Sequence, residues 1–144
     1  MFFKTNGGNM SILKPITEKK AKGKVKKIYE DIKSKRKITK IPNFWKSLAN
    51  DPDTLERTWN SLQQVMEKGA LDPLTKEMLY VAVSMTNSCE YCIHTHTAAA
   101  RAKGMTDEQY AEFLSIVSLA GRTNHLLNGI KVPIDPEFDH ENKD

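Results

Sequence analysis

Two cysteines and a histidine recur at helical spacing in the stretch NSCEYCIHTHTAAARAKG. Cys89, Cys92 and His96 stand at positions i, i+3 and i+7, so on a helix all three side chains point to one side. A second histidine, His94, points about 160° away from His96. Glu77 lies in the apolar segment just before, and it reaches the cysteine face if the two helices pack side by side. These residue types at this spacing predict thiol redox chemistry assisted by a carboxylate and an imidazole.

Both thiols fall near the start of the predicted helix, where unpaired backbone N–H groups favour a thiolate. This effect alone favours Cys89, which lies nearer to the helix start. A thiolate attacks a peroxide oxygen and becomes a sulfenic acid, and a second thiol can then condense with it to a disulfide. The i, i+3 spacing provides such a resolving thiol without a large backbone movement. In a reducing cytosol, a C-x-x-C pair is more often redox-active or metal-binding than structural.

Two other interpretations use the same side chains. The two thiols, His96 and Glu77 could bind zinc through two sulfurs, a nitrogen and an oxygen. Structural zinc sites usually draw ligand pairs from two separated segments, whereas three of these ligands lie on one predicted helix. The second alternative is a non-catalytic helical oligomer in which both cysteines are small buried hydrophobes. Metal content and peroxide consumption distinguish these alternatives from a redox pair.

The elements that must position these residues are all predicted to be helices. Each begins at a capping residue or a proline, and most end near a glycine. The predicted segments are Thr17 to about Arg36, a short helix opened by Pro42, Asp51 to Gly69, a helix capped by Asp72, a helix capped by Asn87 or Ser88 and stopped by Gly104, and Thr106 to Asn128. No segment shows the alternation of a strand. The sequence therefore predicts an all-α fold of five to six helices.

The chain of 144 residues is long enough for one domain with its own core. Its net charge is +4, and lysine is concentrated in residues 14–40. That segment has one arginine and little aromatic interleaving, which favours a solvated helix face over a nucleic-acid surface. No apolar run approaches the roughly 18 residues that span a bilayer, and the first residues lack an apolar run of signal-peptide length. A cytoplasmic protein without nucleic-acid or membrane partners is predicted.

The order of carboxylate, cysteine pair and histidine resembles a known signature, E…C-x-x-C-x-x-x-H. It is that of the alkylhydroperoxidase D-like (AhpD-like) branch of the carboxymuconolactone decarboxylase family. The similarity extends to the stretches IPNFWKSLANDPDTLERTWNSL and KGMTDEQ and covers roughly residues 40–130. The matching residues are Glu77, Cys89, Cys92 and His96.

The resemblance implies an AhpD-like helical bundle with thiol-dependent peroxidase activity that needs no bound cofactor or metal. It implies that Cys92 is the peroxidatic thiol and that Cys89 is the proton donor and resolving thiol. Glu77 and His96 would form a proton relay. The substrate would be a hydroperoxide, the reductant a dithiol or a lipoyl-bearing protein, and the assembly a homo-trimer or homo-hexamer. The predicted divisions are an extended or disordered segment 1–13, the helical domain 14–130 and a tail 131–144.

One position departs from the best-known branch of the family, which has histidine between the two cysteines. This chain has Tyr91 there, and a phenol is not a ready base near neutral pH. One step of the proton relay is therefore predicted to differ from that of the best-known branch. The decarboxylase branch lacks the cysteine pair, so lactone decarboxylation is not expected.

Overall fold

The structure is a computed structural model, and it describes residues 11–139. Within that range the chain forms six α-helices, one short 3-10 helix and no strand. The helices are α1 (Gly23–Arg36), α2 (Asn43–Leu48), α3 (Pro52–Met66), α4 (Pro73–Thr86), α5 (Glu90–Ala102) and α6 (Asp107–Ile130), and the 3-10 helix is Pro136–Phe138. The prediction of an all-α fold with five to six helices is confirmed.

Three helix starts follow directly from the sequence. The carboxylate of Asp51 accepts hydrogen bonds from the backbone N–H groups at the start of α3, and Asp72 does the same for α4. In both cases a proline occupies the first turn, where its missing N–H costs nothing. At α6, Thr106 and Gln109 bond each other's backbone N–H groups in a capping box. Local chemistry therefore fixes where these three helices begin.

The first helix begins later than predicted. Thr17 does not cap it; its carbonyl accepts bonds of 2.9 and 3.0 Å from the N–H groups of Lys20 and Ala21, which closes a single turn. Gly23 follows with a φ of +51°, a conformation that interrupts a regular right-handed helix. The helix proper starts there, after Lys22, which provides no side-chain cap.

The chain forms two compact units, residues 1–67 and 68–144. In the first unit, α1, α2 and α3 surround a cluster of buried apolar side chains. Trp45 and Trp59 meet edge to face with their ring centroids 5.5 Å apart, and Arg36 lies over both rings. The indole N–H of Trp59 donates a 2.7 Å hydrogen bond to Asp31. This unit is held by an apolar core with its polar atoms satisfied at the edge.

In the second unit, α4 and α5 pack side by side. The buried residues of α4 are Glu77, Val81 and Ser84, and the buried residue of α5 is Ala100. Helix α4 carries a continuous apolar run, which predicts burial on most of its surface, yet Leu79 is exposed. The covered face of α4 is therefore narrow, and it carries the polar residues Glu77 and Ser84 beside Val81.

The outer boundaries predicted for the chain fall partly outside the described residues. Segment 1–13 and tail 131–144 both extend beyond residues 11–139, so these divisions stay predictions. Across the described range, every helix is too short or too polar to cross a bilayer. The cytoplasmic location likewise stays a prediction.

Candidate active site

A tight joint between α4 and α5 places the first cysteine. The N–H of Ser88 bonds the carbonyl of Met85 at 3.2 Å, and the N–H of Cys89 bonds the carbonyl of Ser84 at 2.9 Å. This pair of bonds is a Schellman motif, with Ser88 in the left-handed conformation at φ +54°. The prediction that Asn87 or Ser88 caps α5 is wrong, because Asn87 ends α4 and Cys89 is the N-cap of α5.

The other end of α5 closes in the same manner. The N–H of Gly104 bonds the carbonyl of Arg101 at 2.9 Å, and the N–H of Met105 bonds that of Ala100 at 3.1 Å. Gly104 takes a φ of +94°, which a residue with a side chain adopts at a cost. Lys103 is the C-cap residue. Two tight joints therefore set both ends of the helix that carries the thiols and the histidine.

The two cysteines are free thiols, each partly buried. Cys92 is the third residue of α5, one turn after Cys89 at the N-cap. Burial is the main reason that the pKa of the Cys92 thiol is raised to about 11, and the hydrogen bond and charge of Cys89 raise it further. A hydrogen bond with Ser84 acts in the opposite direction. In this reduced state Cys92 holds its proton at neutral pH and needs a base to become a nucleophile.

Ser84 is a contact of Cys92 that sequence reasoning missed. Its hydroxyl is buried and donates a 2.7 Å hydrogen bond to the carbonyl of Tyr80 on the preceding turn. It follows Glu77 by seven positions, two helical turns, and so shares its face of α4. This seven-residue spacing from Glu77 was the one signal in the sequence that could have identified Ser84 as a site residue. Ser84 and Glu77 together bring a hydroxyl and a carboxylate to the face of α4 that meets α5.

Glu77 and His96, which the family resemblance assigns to one proton relay, lie in contact in the structure. Nδ1 of His96 lies 2.7 Å from Oε2 of Glu77, and their side chains are only 13% and 7% exposed. Nζ of Lys103 donates to the other oxygen, Oε1, at 2.9 Å. Burial would raise the pKa of Glu77, but the hydrogen bonds from His96 and Lys103 outweigh it and hold the pKa below its ordinary value. The structure therefore contains a buried, ionised carboxylate with a partner on each oxygen.

The imidazole of His96 is also fixed by a ring contact. The ring of Tyr80 stacks on it with the centroids 3.6 Å apart and the planes inclined by 18°. One ring nitrogen is held by Glu77 and one ring face by Tyr80. His94, by contrast, is exposed on α5, as its helical position predicts, and so is Tyr91.

Of the four predicted site residues, the structure pairs Glu77 with His96 and Cys89 with Cys92. Within residues 11–139, no group of three or more histidine, cysteine, aspartate or glutamate side chains is arranged to hold a metal ion. The arrangement can do two things: form a disulfide between adjacent thiols, and exchange protons through an imidazole that a carboxylate orients.

Two curated proteins are similar in sequence. The chain is 26% identical over 112 residues to an alkyl hydroperoxide reductase of Mycobacterium tuberculosis, a match that covers 78% of this chain and 32% of the relative. It is 39% identical over 54 residues to uncharacterized protein 4 in the cox locus of Paracoccus denitrificans, which covers 38% of this chain and 49% of the relative. The chain spans half or less of the length of both relatives.

Among solved structures, the chain resembles the crystal structure of the alkylhydroperoxidase AhpD core from Rhodospirillum rubrum. The TM-score is 0.87 at 47% identity, covering 90% of this chain and 97% of the other. Residues 52–134 match the model of the carboxymuconolactone decarboxylase family, and that range includes both thiols, Glu77 and His96. The chain therefore belongs to the carboxymuconolactone decarboxylase family, in its AhpD-like branch.

Proposed function

We propose that this protein is a thiol-dependent peroxidase that reduces hydroperoxides through Cys92 and Cys89. The observation that carries the proposal is the placing of two free, adjacent thiols on the helix whose His96 is bonded to buried Glu77. A relative named alkyl hydroperoxide reductase and a solved structure named alkylhydroperoxidase support the same reaction class. The protein would act on the peroxide without a bound cofactor.

The reaction has three balanced steps. The thiolate of Cys92 attacks the outer oxygen of a hydroperoxide, the O–O bond breaks, and the alkoxide takes a proton to leave as an alcohol. Cys92 is now a sulfenic acid, and the thiolate of Cys89 attacks its sulfur to form a disulfide while hydroxide leaves and is protonated to water. A dithiol then exchanges with the disulfide and returns both cysteines to thiols, and the donor becomes a disulfide.

The raised pKa of Cys92 makes the first proton transfer the step that the site must assist. His96 follows Cys92 by four positions on α5, so the two side chains start from the same face of the helix. We assign His96 as the proton acceptor, oriented by Glu77, with Cys89 or a water molecule linking it to the sulfur. The hydroxyl of Ser84 would turn its hydrogen from the Tyr80 carbonyl to the new thiolate.

The reductant proposed is a dithiol, such as a lipoyl group carried by a protein. Cys89 is partly exposed at the N-cap of α5 and makes no capping bond there, so its sulfur offers a point of attack. Attack at Cys89 releases Cys92, whose hydrogen-bond partner Ser84 stabilises the leaving thiolate.

A homo-oligomer is proposed because α6 carries an exposed apolar stripe, and the family resemblance implies a trimer or a hexamer. Monomeric proteins rarely expose large contiguous apolar patches. The stripe consists of Ile116, Leu119, Leu126, Leu127 and Ile130. Sedimentation should report an assembly that Leu126→Lys dissociates, whereas Arg122→Lys, outside the stripe on the same helix, leaves it intact. A monomeric wild-type chain at micromolar concentration would contradict the proposal.

Peroxide consumption with a set of dithiol donors, followed together with the free-thiol count, tests the function. We expect the wild type to consume peroxide and to lose two thiols when the donor is omitted. Cys92→Ser should abolish consumption, while Cys89→Ser should yield one sulfenic acid that a dimedone reagent traps. Full turnover by Cys92→Ser would overturn the assigned roles. Absence of turnover together with about one equivalent of tightly bound zinc would replace the proposal with a zinc site.

A further inference from the structure

Lys103 bonds the carboxylate of Glu77 and is not part of the family signature E…C-x-x-C-x-x-x-H. It is the C-cap residue of α5, seven positions after His96, so both side chains rise from the same face of the helix. Its ammonium group bonds Oε1 of Glu77 at 2.9 Å, and the imidazole bonds Oε2 at 2.7 Å. The lysine side chain is 37% exposed and the carboxylate 7% exposed. A cation at the protein surface thus reaches inward to a buried anion.

A buried carboxylate needs compensation for its charge. The titratable groups that face Glu77 from α5 are His96 and Lys103. On its own helix, Tyr80 stacks on His96, and the ammonium group of Lys76 lies near Gly69. Of the two partners on α5, Lys103 contacts the carboxylate through an ammonium group, which donates hydrogen bonds and cannot accept them.

We propose that Lys103 is a positioning residue that keeps Glu77 an anion, so that His96 holds its hydrogen on Nδ1 and exchanges protons at Nε2. An ionised Glu77 can only accept a hydrogen bond, which requires Nδ1 of His96 to be the donor. The other ring nitrogen is then free to accept the proton of a thiol. A protonated Glu77 could instead donate to Nδ1, and Nε2 would then carry the ring hydrogen and could not accept a proton.

The consequence for catalysis rests on the proposed function, but the electrostatic effect does not. Replacing Lys103 by a neutral residue removes one of the two hydrogen-bonded partners that oppose the effect of burial on Glu77. The carboxyl should then titrate at a higher pH. As it becomes protonated, His96 loses its acceptor and the fraction with a free Nε2 falls.

The test compares Lys103→Gln, Lys103→Met and Lys103→Arg in the full chain. Glutamine keeps a hydrogen-bond donor without the charge, methionine removes both, and arginine keeps the charge. Lys68→Gln, an exposed lysine outside the cluster, is the matched control. Circular dichroism checks folding, the ¹³C shift of the Glu77 carboxyl follows its titration, and ¹⁵N shifts report the His96 tautomer.

We expect the Glu77 titration midpoint to rise by about one pH unit or more in Lys103→Gln. Lys103→Arg and Lys68→Gln should stay close to the wild type. The acid limb of the peroxide-reduction profile should move to higher pH with the Glu77 midpoint. An unchanged midpoint and tautomer in a folded Lys103→Gln or Lys103→Met would overturn the proposal. So would an arginine variant that behaves like the glutamine variant, because charge would then not be the cause.

The same set of variants separates this inference from the peroxidase proposal. If the wild type consumes no peroxide but the Glu77 midpoint still rises in Lys103→Gln, the function is wrong and the role of Lys103 stands. If the wild type consumes peroxide and the acid limb does not move in Lys103→Gln, the role of Lys103 is wrong and the function stands.

Discussion

The two compact units of the chain use their interiors differently. Among the described residues, the unit formed by residues 1–67 buries ten apolar side chains in one cluster, including both tryptophans. The unit from residue 68 onward buries four apolar side chains, and with them the polar residues Glu77 and Ser84. The first interior is an apolar core, whereas the second contains the carboxylate and the hydroxyl of the candidate site.

This difference separates the interior that stabilises the chain from the interior that carries the candidate site. Buried apolar area stabilises in proportion to its size, whereas a buried ion pair contributes little net stability after its desolvation cost. The unit with the candidate site therefore has fewer buried apolar side chains to stabilise it, and it also carries the exposed apolar stripe on α6. We infer that substitutions in the first unit act mainly on stability and those in the second mainly on chemistry.

The largest expected effect is on stability, from Leu55→Ala. Leu55 is fully buried in the cluster of the first unit, and truncating such a leucine costs about 3 kcal/mol of unfolding free energy through lost burial and the remaining cavity. Urea denaturation measures this. Leu79→Ala, at an exposed position on α4, is the matched control, with an expected change of about 0.5 kcal/mol or less. Equal losses of unfolding free energy at the two positions would contradict the inferred difference between the two units.

Glu77→Gln should act on chemistry more than on stability. The neutral amide cannot stabilise a protonated His96 as the carboxylate does. We therefore expect thiolate formation and peroxide reduction to slow by about 100-fold, which corresponds to a barrier higher by about 2.7 kcal/mol. Stopped-flow peroxide consumption and the pH profile of thiol alkylation measure the two rates. Glu67→Gln, an exposed glutamate in the loop before α4, is the control. An alkylation profile identical to that of the wild type would contradict the relay.

Acid should destabilise the second unit through Glu77. Because the pKa of Glu77 is lowered by folding, its contribution to stability is fully present above the unfolded value of about 4.3. It is lost as pH falls from there through the folded pKa. Urea midpoints measured between pH 6 and pH 3 should therefore fall less steeply in Glu77→Gln than in the wild type. Parallel curves would mean that folding does not lower the pKa of Glu77.

The smallest expected effect concerns the joint between α4 and α5. Ser88 has a φ of +54°, which glycine adopts without the steric cost that a side chain brings. Ser88→Gly should therefore raise the unfolding free energy by about 0.5 kcal/mol. Ser118→Gly, in the middle of α6, should lower it by a similar amount, about 0.5 kcal/mol. Thermal unfolding distinguishes the two signs, and a loss of stability in both variants would contradict the geometry of the joint.

The sequence was sufficient where local chemistry decides the structure. Asp51 and Asp72 each precede a proline, and their carboxylates cap the helices that begin there. The spacing of Cys89, Cys92 and His96 predicted a common face. The position of Glu77 left its contact with that face conditional on the packing of two helices, and its relay with His96 was implied by the family resemblance; the structure contains the Glu77–His96 contact.

Where packing decides, the sequence was insufficient. Lys103 has the pattern of an ordinary surface lysine at a helix end, and Ser84 lies within an apolar run. Only the packing of α4 against α5 shows that one reaches a buried carboxylate and the other a thiol. The exposure of Leu79 was not predictable either, because periodicity predicts an apolar face but does not show whether other residues of the same chain cover it. Asn87 resembles a capping residue of α5 but ends α4 instead.

The edge-to-face pair of Trp45 and Trp59 provides a spectroscopic consequence. These are the two tryptophans of the chain, and both lie in the first unit. Tryptophan emission would therefore report on the apolar cluster around α1 to α3. Oxidation of Cys89 and Cys92 would be followed by thiol titration, and urea unfolding of the first unit by fluorescence. One sample can thus provide separate signals for the redox state of one unit and the folding of the other.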